Sequence, residues 1–217
     1  MTRDWVRWHQ DYESPKSSLA RRLRVVRREL RRALTDAPSG VDGSRYLVSM
    51  CAGDGRDVLP VLAEQDRGRG VRAVLVELDP VLAQRARTTA DELGLAGVEV
   101  RTADAGTTDV YLDWPRAQLL LVCGVFGNVP VEDVRRTIAS LPCLLAAGGI
   151  VIWTRGRAGD AHDPSLDIRT CFTDHGFAEL SFTSPADATF RVGMHQLAGR
   201  SADRPPLQPG TRLFRFV

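Results

Sequence analysis

Two glycines and an acid offer the first chemistry in this chain. The segment SMCAGDGRD (49–57) puts Gly53 and Gly55 where a backbone must turn tightly and approach a ligand, since neither carries a Cβ. A helix opening after such a loop presents unpaired N–H groups. Glu77 lies 24 residues beyond Gly53 and supplies a carboxylate whose two oxygens can accept from both hydroxyls of a ribose. The pair suits a nucleoside-containing cofactor. A dinucleotide fingerprint needs a third glycine for close helix–strand packing, and Val58 stands there, which turns the reading away from NAD and FAD.

Other reactive side chains are scattered. His9, His162, His175 and His195 titrate near neutrality and are candidates for a general base, yet none sits in a Ser/His/Asp order or at metal-ligand spacing. Trp5, Trp8, His9 and Tyr12 crowd the first residues, and two accounts fit them: a lid over the site, or packing on the core. Cys51, Cys123, Cys143 and Cys171 form no CxxC pair, so free thiols in a reducing cytoplasm are expected, with no metal site. Seven arginines between Arg21 and Arg32 read as a solvated helix face; the alternative is a collar for an anionic substrate or nucleic acid. No aromatics are interleaved for base stacking, which disfavours nucleic acid.

These residues need a frame. Residues 17–34 carry Leu19, Leu23, Val26 and Leu30 at helical spacing, with Ser17 or Ser18 to cap the start, and 35–44 is a turn-rich loop. An alternation follows: strand RYLVSM, helix DVLPVLAEQ, strand RAVLVEL, helix PVLAQRARTTADELG ended by Gly94, and strand VEVRTA. Next come strand QLLLVCG, helix VEDVRRTIASL broken near Pro142, and strand GIVIWTR. Continuous apolar runs such as LLLV and IVIW mark parallel strands buried on both faces, so the spacing predicts a doubly wound α/β sheet. After a helix SLDIRTCFTDHG, the runs FAELSFTS, TFRVGMHQLAG and TRLFRFV read as strands, with a hairpin at the sheet's end.

Bulk properties agree. A length of 217 residues with 43% apolar and 26% charged residues fits one globular domain, and a net charge of +2 does not make the whole molecule a polyanion binder. No apolar run reaches the roughly 20 residues of a membrane span. The N-terminus lacks the apolar core of a secretion signal, so a cytoplasmic protein is expected.

Taken in order, the segments resemble those of class I S-adenosylmethionine-dependent methyltransferases over about residues 45–155. LVSMCAGDGRD is similar to their glycine-rich first motif, VLVELDP to the second, RTADA to the third, QLLLVCGVFGNVP to the fourth, and LLAAGGIVIWTR to the strand after it. The combination is also similar to a group of bacterial methyltransferases with no assigned substrate.

The resemblance implies a Rossmann-like, mostly parallel sheet with a C-terminal antiparallel hairpin and an N-terminal helical extension. It implies one domain over 1–217: a lid and helix (1–40), a cofactor-binding core (45–155), and a C-terminal helix with strands (156–217). S-adenosylmethionine would be held by Cys51, Ala52, Gly53, Asp54, Gly55, Asp57, Glu77 (ribose), Leu78, Asp104 and Ala105 (adenine), Cys123, Gly124 and Asn128. Ser49, Cys51 and Gln118 stand where the family has an acid, a glycine and an acid. The methionine ammonium would then fall to Asp54, Asp57 or backbone carbonyls near Cys51 and Gly124. His9, Tyr12, Asn128 and Arg155 are the catalytic candidates. The expected reaction is methyl transfer to a small molecule; the alternatives are RNA or protein methylation, or a noncatalytic S-adenosylmethionine-binding module.

Overall fold

The computed structural model describes residues 14, 17–64, 69–157, 163–199 and 205–217. The elements in chain order are α1 (Ser18–Asp36), β1 (Arg45–Met50), α2 (Leu59–Leu62), β2 (Val71–Glu77), α3 (Pro80–Glu92) and β3 (Val98–Thr102). They continue with β4 (Ala117–Val122), α4 (Val131–Leu144), β5 (Leu145–Gly156), α5 (Ser165–Asp174), β6 (Phe177–Thr183) and β7 (Phe190–Leu197). The strands form one seven-stranded sheet in the order β3-β2-β1-β4-β5-β7-β6. β1 to β5 are parallel, and β7 runs antiparallel to both β5 and β6. This is the expected doubly wound sheet with its terminal hairpin.

Alternate side chains feed two cores. Val48, Met50, Val122, Val151 and Trp153 pack with Ile138 of α4 and Phe172 of α5. On the other face Leu47, Leu75, Leu121 and Ile152 pack with Val26, Leu30 and Leu34 of α1 and with α2 and α3. Strands buried on both faces explain the unbroken apolar runs. The strand order reverses between β1 and β4, so a crevice opens at their carboxyl ends. No helix among the described residues is long and apolar enough to cross a membrane.

Helix α1 is capped by Ser17, whose Oγ accepts from Ala20 N at 3.0 Å. Its arginines are not simply solvated. Arg21 pairs with Asp187 in the β6–β7 turn at 2.8 Å, Arg27 donates twice to Arg56 O, and Arg31 bonds Glu64 at 2.8 Å. The helix is tied to the loop below it and to the hairpin beside it.

Three local expectations are corrected. The helix expected over 57–65 is a single turn, α2, because the chain spends residues 53–58 in turns before Pro60. Pro142 does not break α4: it lies in the last turn, two residues before the helix ends and the chain passes directly into β5. TRLFRFV is not a strand. Only Arg212 makes a bridge, to Thr107, and the following N–H groups go to two loops and the first turn of α4: Leu213 to Gly106 O, Val217 to Asn128 O and Arg215 to Asp133 Oδ2.

His195 lies inside the core opposite Val151 on β5, well short of the strand ends, and so is no general base. Trp153 Nε1 donates to its Nδ1 at 3.1 Å, and its ring stacks on Phe172 at 4.5 Å. Burial lowers its pKa from 6.5 to about 4, against the nearby charge of Glu179. The unfolded chain therefore takes up this proton near pH 6.5 and the folded protein only near pH 4. Stability contributed by the neutral imidazole is full above pH 6.5 and falls by about 3 kcal/mol as pH drops toward 4. Urea denaturation of wild type and His195→Asn across pH 7 to 4.5 checks this; an equal slope in both proteins refutes it. His175 is exposed and donates from Nδ1 to Cys171 O, while His9 and His162 lie outside the described residues.

Candidate active site

The crevice floor is built from the loop after β1. Cys51, Gly53 and Gly55 have φ of 53°, 59° and 75°, so three of five consecutive residues are left-handed. The loop reverses sharply enough for Ala52 N to donate to Val76 O on β2 at 2.9 Å. Gly55 serves packing as well: a Cβ there would lie 2.5 Å from Leu59 Cδ1 and 3.1 Å from Leu75 Cδ2. Cys51 adopts the conformation without being glycine, a strain of about 1–2 kcal/mol. Burial pushes its thiol pKa well up, helped by the charges of Glu77 and Asp104.

Glu77 ends β2, only 9% exposed, and latches this loop. Its Oε2 accepts from Gly53 N at 2.7 Å and its Oε1 from Asp79 N at 2.9 Å. A carboxylate offers about four acceptor positions, so two remain for a pair of hydroxyls. The next residue, Leu78, is 66% exposed and forms an apolar ledge at the rim.

The other expected residues gather at neighbouring strand ends. Asp104 follows β3; its Oδ1 accepts from Gly106 N at 2.8 Å and its Oδ2 from Arg212 Nη1 at 2.5 Å. Ala105 is buried, and its carbonyl accepts from Tyr111 Oη at 2.9 Å. Cys123 follows β4 beside Thr154 and Asp57, its thiol pKa raised well above the usual range by burial. Gly124, with φ 77°, donates from N to Thr154 Oγ1 at 2.9 Å, and its carbonyl accepts from Asn128 Nδ2 at 2.7 Å. Asn128 thus holds its own loop; α4 has Pro130 as N-cap and no side-chain cap.

Two acids were open for an ammonium group, and their surroundings differ. Asp54 is bonded to Arg56 Nε at 2.7 Å. Asp57 has its pKa raised by burial, with Arg22 pulling the other way. Gln118 plays no part: it sits at the opposite end of β4, where its Oε1 accepts from Tyr46 N at 2.7 Å. Of three residues near the end of β5, Trp153 is core, Thr154 supports Gly124, and Arg155 is half-buried and donates to Phe126 O in the loop after β4. Trp5, Trp8, His9 and Tyr12 lie outside the described residues. No three His, Cys, Asp or Glu side chains among the described residues converge as a metal site.

Sequence reasoning did not find Arg191, Asp163 or the segment 205–217 as parts of the rim. Arg191 is buried on Asp163, and Leu213 and Phe214 are inserted in the core beneath the loops after β3 and β4. The alternating FRV of β7 placed Arg191 only within a strand, and no spacing announces a carboxylate 28 residues away.

The chain matches no family model and no curated protein sequence. Its fold does match solved structures. A magnesium protoporphyrin IX methyltransferase from Synechocystis PCC 6803 with bound S-adenosylhomocysteine superposes with TM-score 0.65 at 16% identity, over 89% of this chain and 94% of that one. An RNA methyltransferase from Salinibacter ruber in complex with S-adenosylhomocysteine gives TM-score 0.52 at 21% identity, over 86% and 96%. An O-methyltransferase family protein from Burkholderia thailandensis gives TM-score 0.58 at 17% identity over 80% of this chain, which spans only 57% of that protein's length. The likeness establishes a Rossmann-like fold, which these methyltransferases share.

Proposed function

We propose that this protein transfers a methyl group from S-adenosylmethionine to a small-molecule acceptor in the cytoplasm. The observation that carries this reading is the Glu77–Gly53 latch at the point of strand reversal, where a glycine loop and a carboxylate with spare acceptor capacity meet. The methyltransferases with the same fold, two of them solved with S-adenosylhomocysteine, support it. Glu77 would take the ribose, Leu78, Asp104 and Ala105 the adenine side, and Asp57 with the carbonyls of the Cys51 and Gly124 turns the methionine end. The cofactor, when bound, supplies a methyl carbon already activated on a sulfonium. The protein is left to fix the acceptor in line and to keep water out, which can supply most of the rate without a base. A small acceptor is favoured over RNA because Arg21, Arg27 and Arg31 of the basic helix are spent on contacts within the chain.

S-adenosylhomocysteine at a hundredfold excess over its dissociation constant adds about 2.7 kcal/mol of stability, a rise of about 5–10 °C in melting temperature for a domain of this size. NAD should produce no shift. Calorimetry and thermal melting with both ligands check the assignment, and a preference for NAD refutes it.

A further inference from the structure

Arg155 and Arg191 are cross-strand partners on β5 and β7, so two guanidinium side chains leave the same face of the sheet side by side. Among the described residues, only one is paired with a carboxylate. Arg191 is buried with Nε on Asp163 Oδ2 at 2.7 Å and Nη1 on Phe190 O at 3.0 Å. The other oxygen of Asp163 is occupied by the N–H and hydroxyl of Ser165, at 3.1 and 2.7 Å. Arg155 donates from Nη1 to Phe126 O, in the loop after β4, and its Nε is buried with no hydrogen-bond partner. Asp163 and Asp167 act on it only through space, and desolvation lowers its pKa. A guanidinium stays charged at any physiological pH. Held half-buried with no carboxylate bonded to it among the described residues, it carries a desolvation cost that an arriving anion would offset.

The adjacent rim is apolar. Val217 N donates to Asn128 O, which seats Phe216 and Val217 beside the loop whose Phe126 carbonyl receives Arg155. Phe216 and, at the start of α4, Val131 are 41% and 47% exposed. One fork-shaped cation next to exposed hydrocarbon matches a carboxylate on an apolar body better than a phosphate chain, which calls for several cations.

We propose that Arg155 is the specificity-determining residue of the acceptor pocket and that the acceptor is a small carboxylic acid with an apolar body. The proposal rests on the methyltransferase reading and names the substrate class of the same site.

The test uses the full chain saturated with S-adenosylhomocysteine and titrated calorimetrically with phenylacetate, phenylacetamide, hexanoate, hexanamide and inorganic phosphate. The acids should bind at least tenfold more tightly than their amides and than phosphate. Arg155→Gln should abolish that preference, Arg155→Lys should keep part of it, and both should bind S-adenosylhomocysteine within twofold of wild type. The unliganded Arg155→Gln protein should melt no lower than wild type, whereas a merely structural arginine would lower the melting point. If Arg155→Gln does not fold, the wild-type acid-to-amide ratio and the lysine variant decide. Acid and amide binding equally, or neither binding, overturns the proposal; so do tighter binding of phosphate and a preference that survives in Arg155→Gln. Failure of S-adenosylhomocysteine to bind wild type instead defeats the methyltransferase reading itself.

Discussion

Glu77→Ala should weaken S-adenosylhomocysteine binding by about 2–4 kcal/mol, on the order of 30- to 1,000-fold, in a protein that still folds. The effect exceeds the loss of one ligand contact because the carboxylate has two tasks. It would meet the ribose, and it already holds Gly53 N at 2.7 Å and Asp79 N at 2.9 Å. Removing it leaves a nearly buried glycine N–H without its acceptor in a loop of left-handed residues. The free loop then has more conformations to lose on binding. Glu77→Gln keeps one carbonyl oxygen and should fall between the two, since an amide also turns an N–H₂ toward a donor. Calorimetric titration of the three proteins, with melting curves as the control for folding, separates these outcomes. Affinity unchanged in folded Glu77→Ala would show that the ribose is held elsewhere.

The second large effect lies away from the crevice. Gly193→Ala should destabilise the protein by about 3 kcal/mol, a fall of about 6–12 °C in melting temperature. A Cβ on Gly193 would overlap the six-membered ring and nitrogen of the Trp153 indole, which lies flat against the β7 backbone. Trp153 cannot retreat easily. It is fully buried, packs against Phe126 and Phe172, and spends its N–H on His195. Overpacking should therefore be relieved by a smaller ring: the double variant Trp153→Phe/Gly193→Ala should be more stable than the sum of the single losses implies. Equilibrium denaturation of all four proteins measures that coupling. Additive losses would mean that β7 shifts to make room without involving Trp153.

The fold was legible because both cores write directly into the sequence. LLLV and IVIW are apolar without a break since α1 to α3 cover one face and α4 and α5 the other. Gly53, Gly55 and Glu77 were legible for a similar reason: each meets a local demand, left-handed backbone or a carboxylate at a strand end, that few residue types satisfy. What could not be read depends on long-range partners. The same letters that spell a strand in TFRVGMHQ spell none in TRLFRFV, because the latter's N–H groups find Gly106 O, Asp133 and Asn128 rather than a sheet edge. Gln118 illustrates the limit from the other side. Its position in the fourth strand suggested a bearing on the ligand, yet it faces the far end of the sheet.

The docked segment 205–217 also bears on the order in which the protein folds. Its contacts reach back across the chain: Thr211 N to Thr108 Oγ1 spans 103 residues, and Thr108 Oγ1 to Gln208 O spans 100. The segment follows all seven strands along the chain, so it docks onto a frame that the rest of the sequence supplies. The sheet can thus assemble while the loop around Gly106, on which the Phe214 carbonyl rests, still lacks its cover. Closing so long a loop is entropically costly and slow compared with forming the neighbouring βα units. The crevice is consequently finished by the contacts that close the longest loops, and ligand binding reports on completed folding rather than on the presence of the sheet.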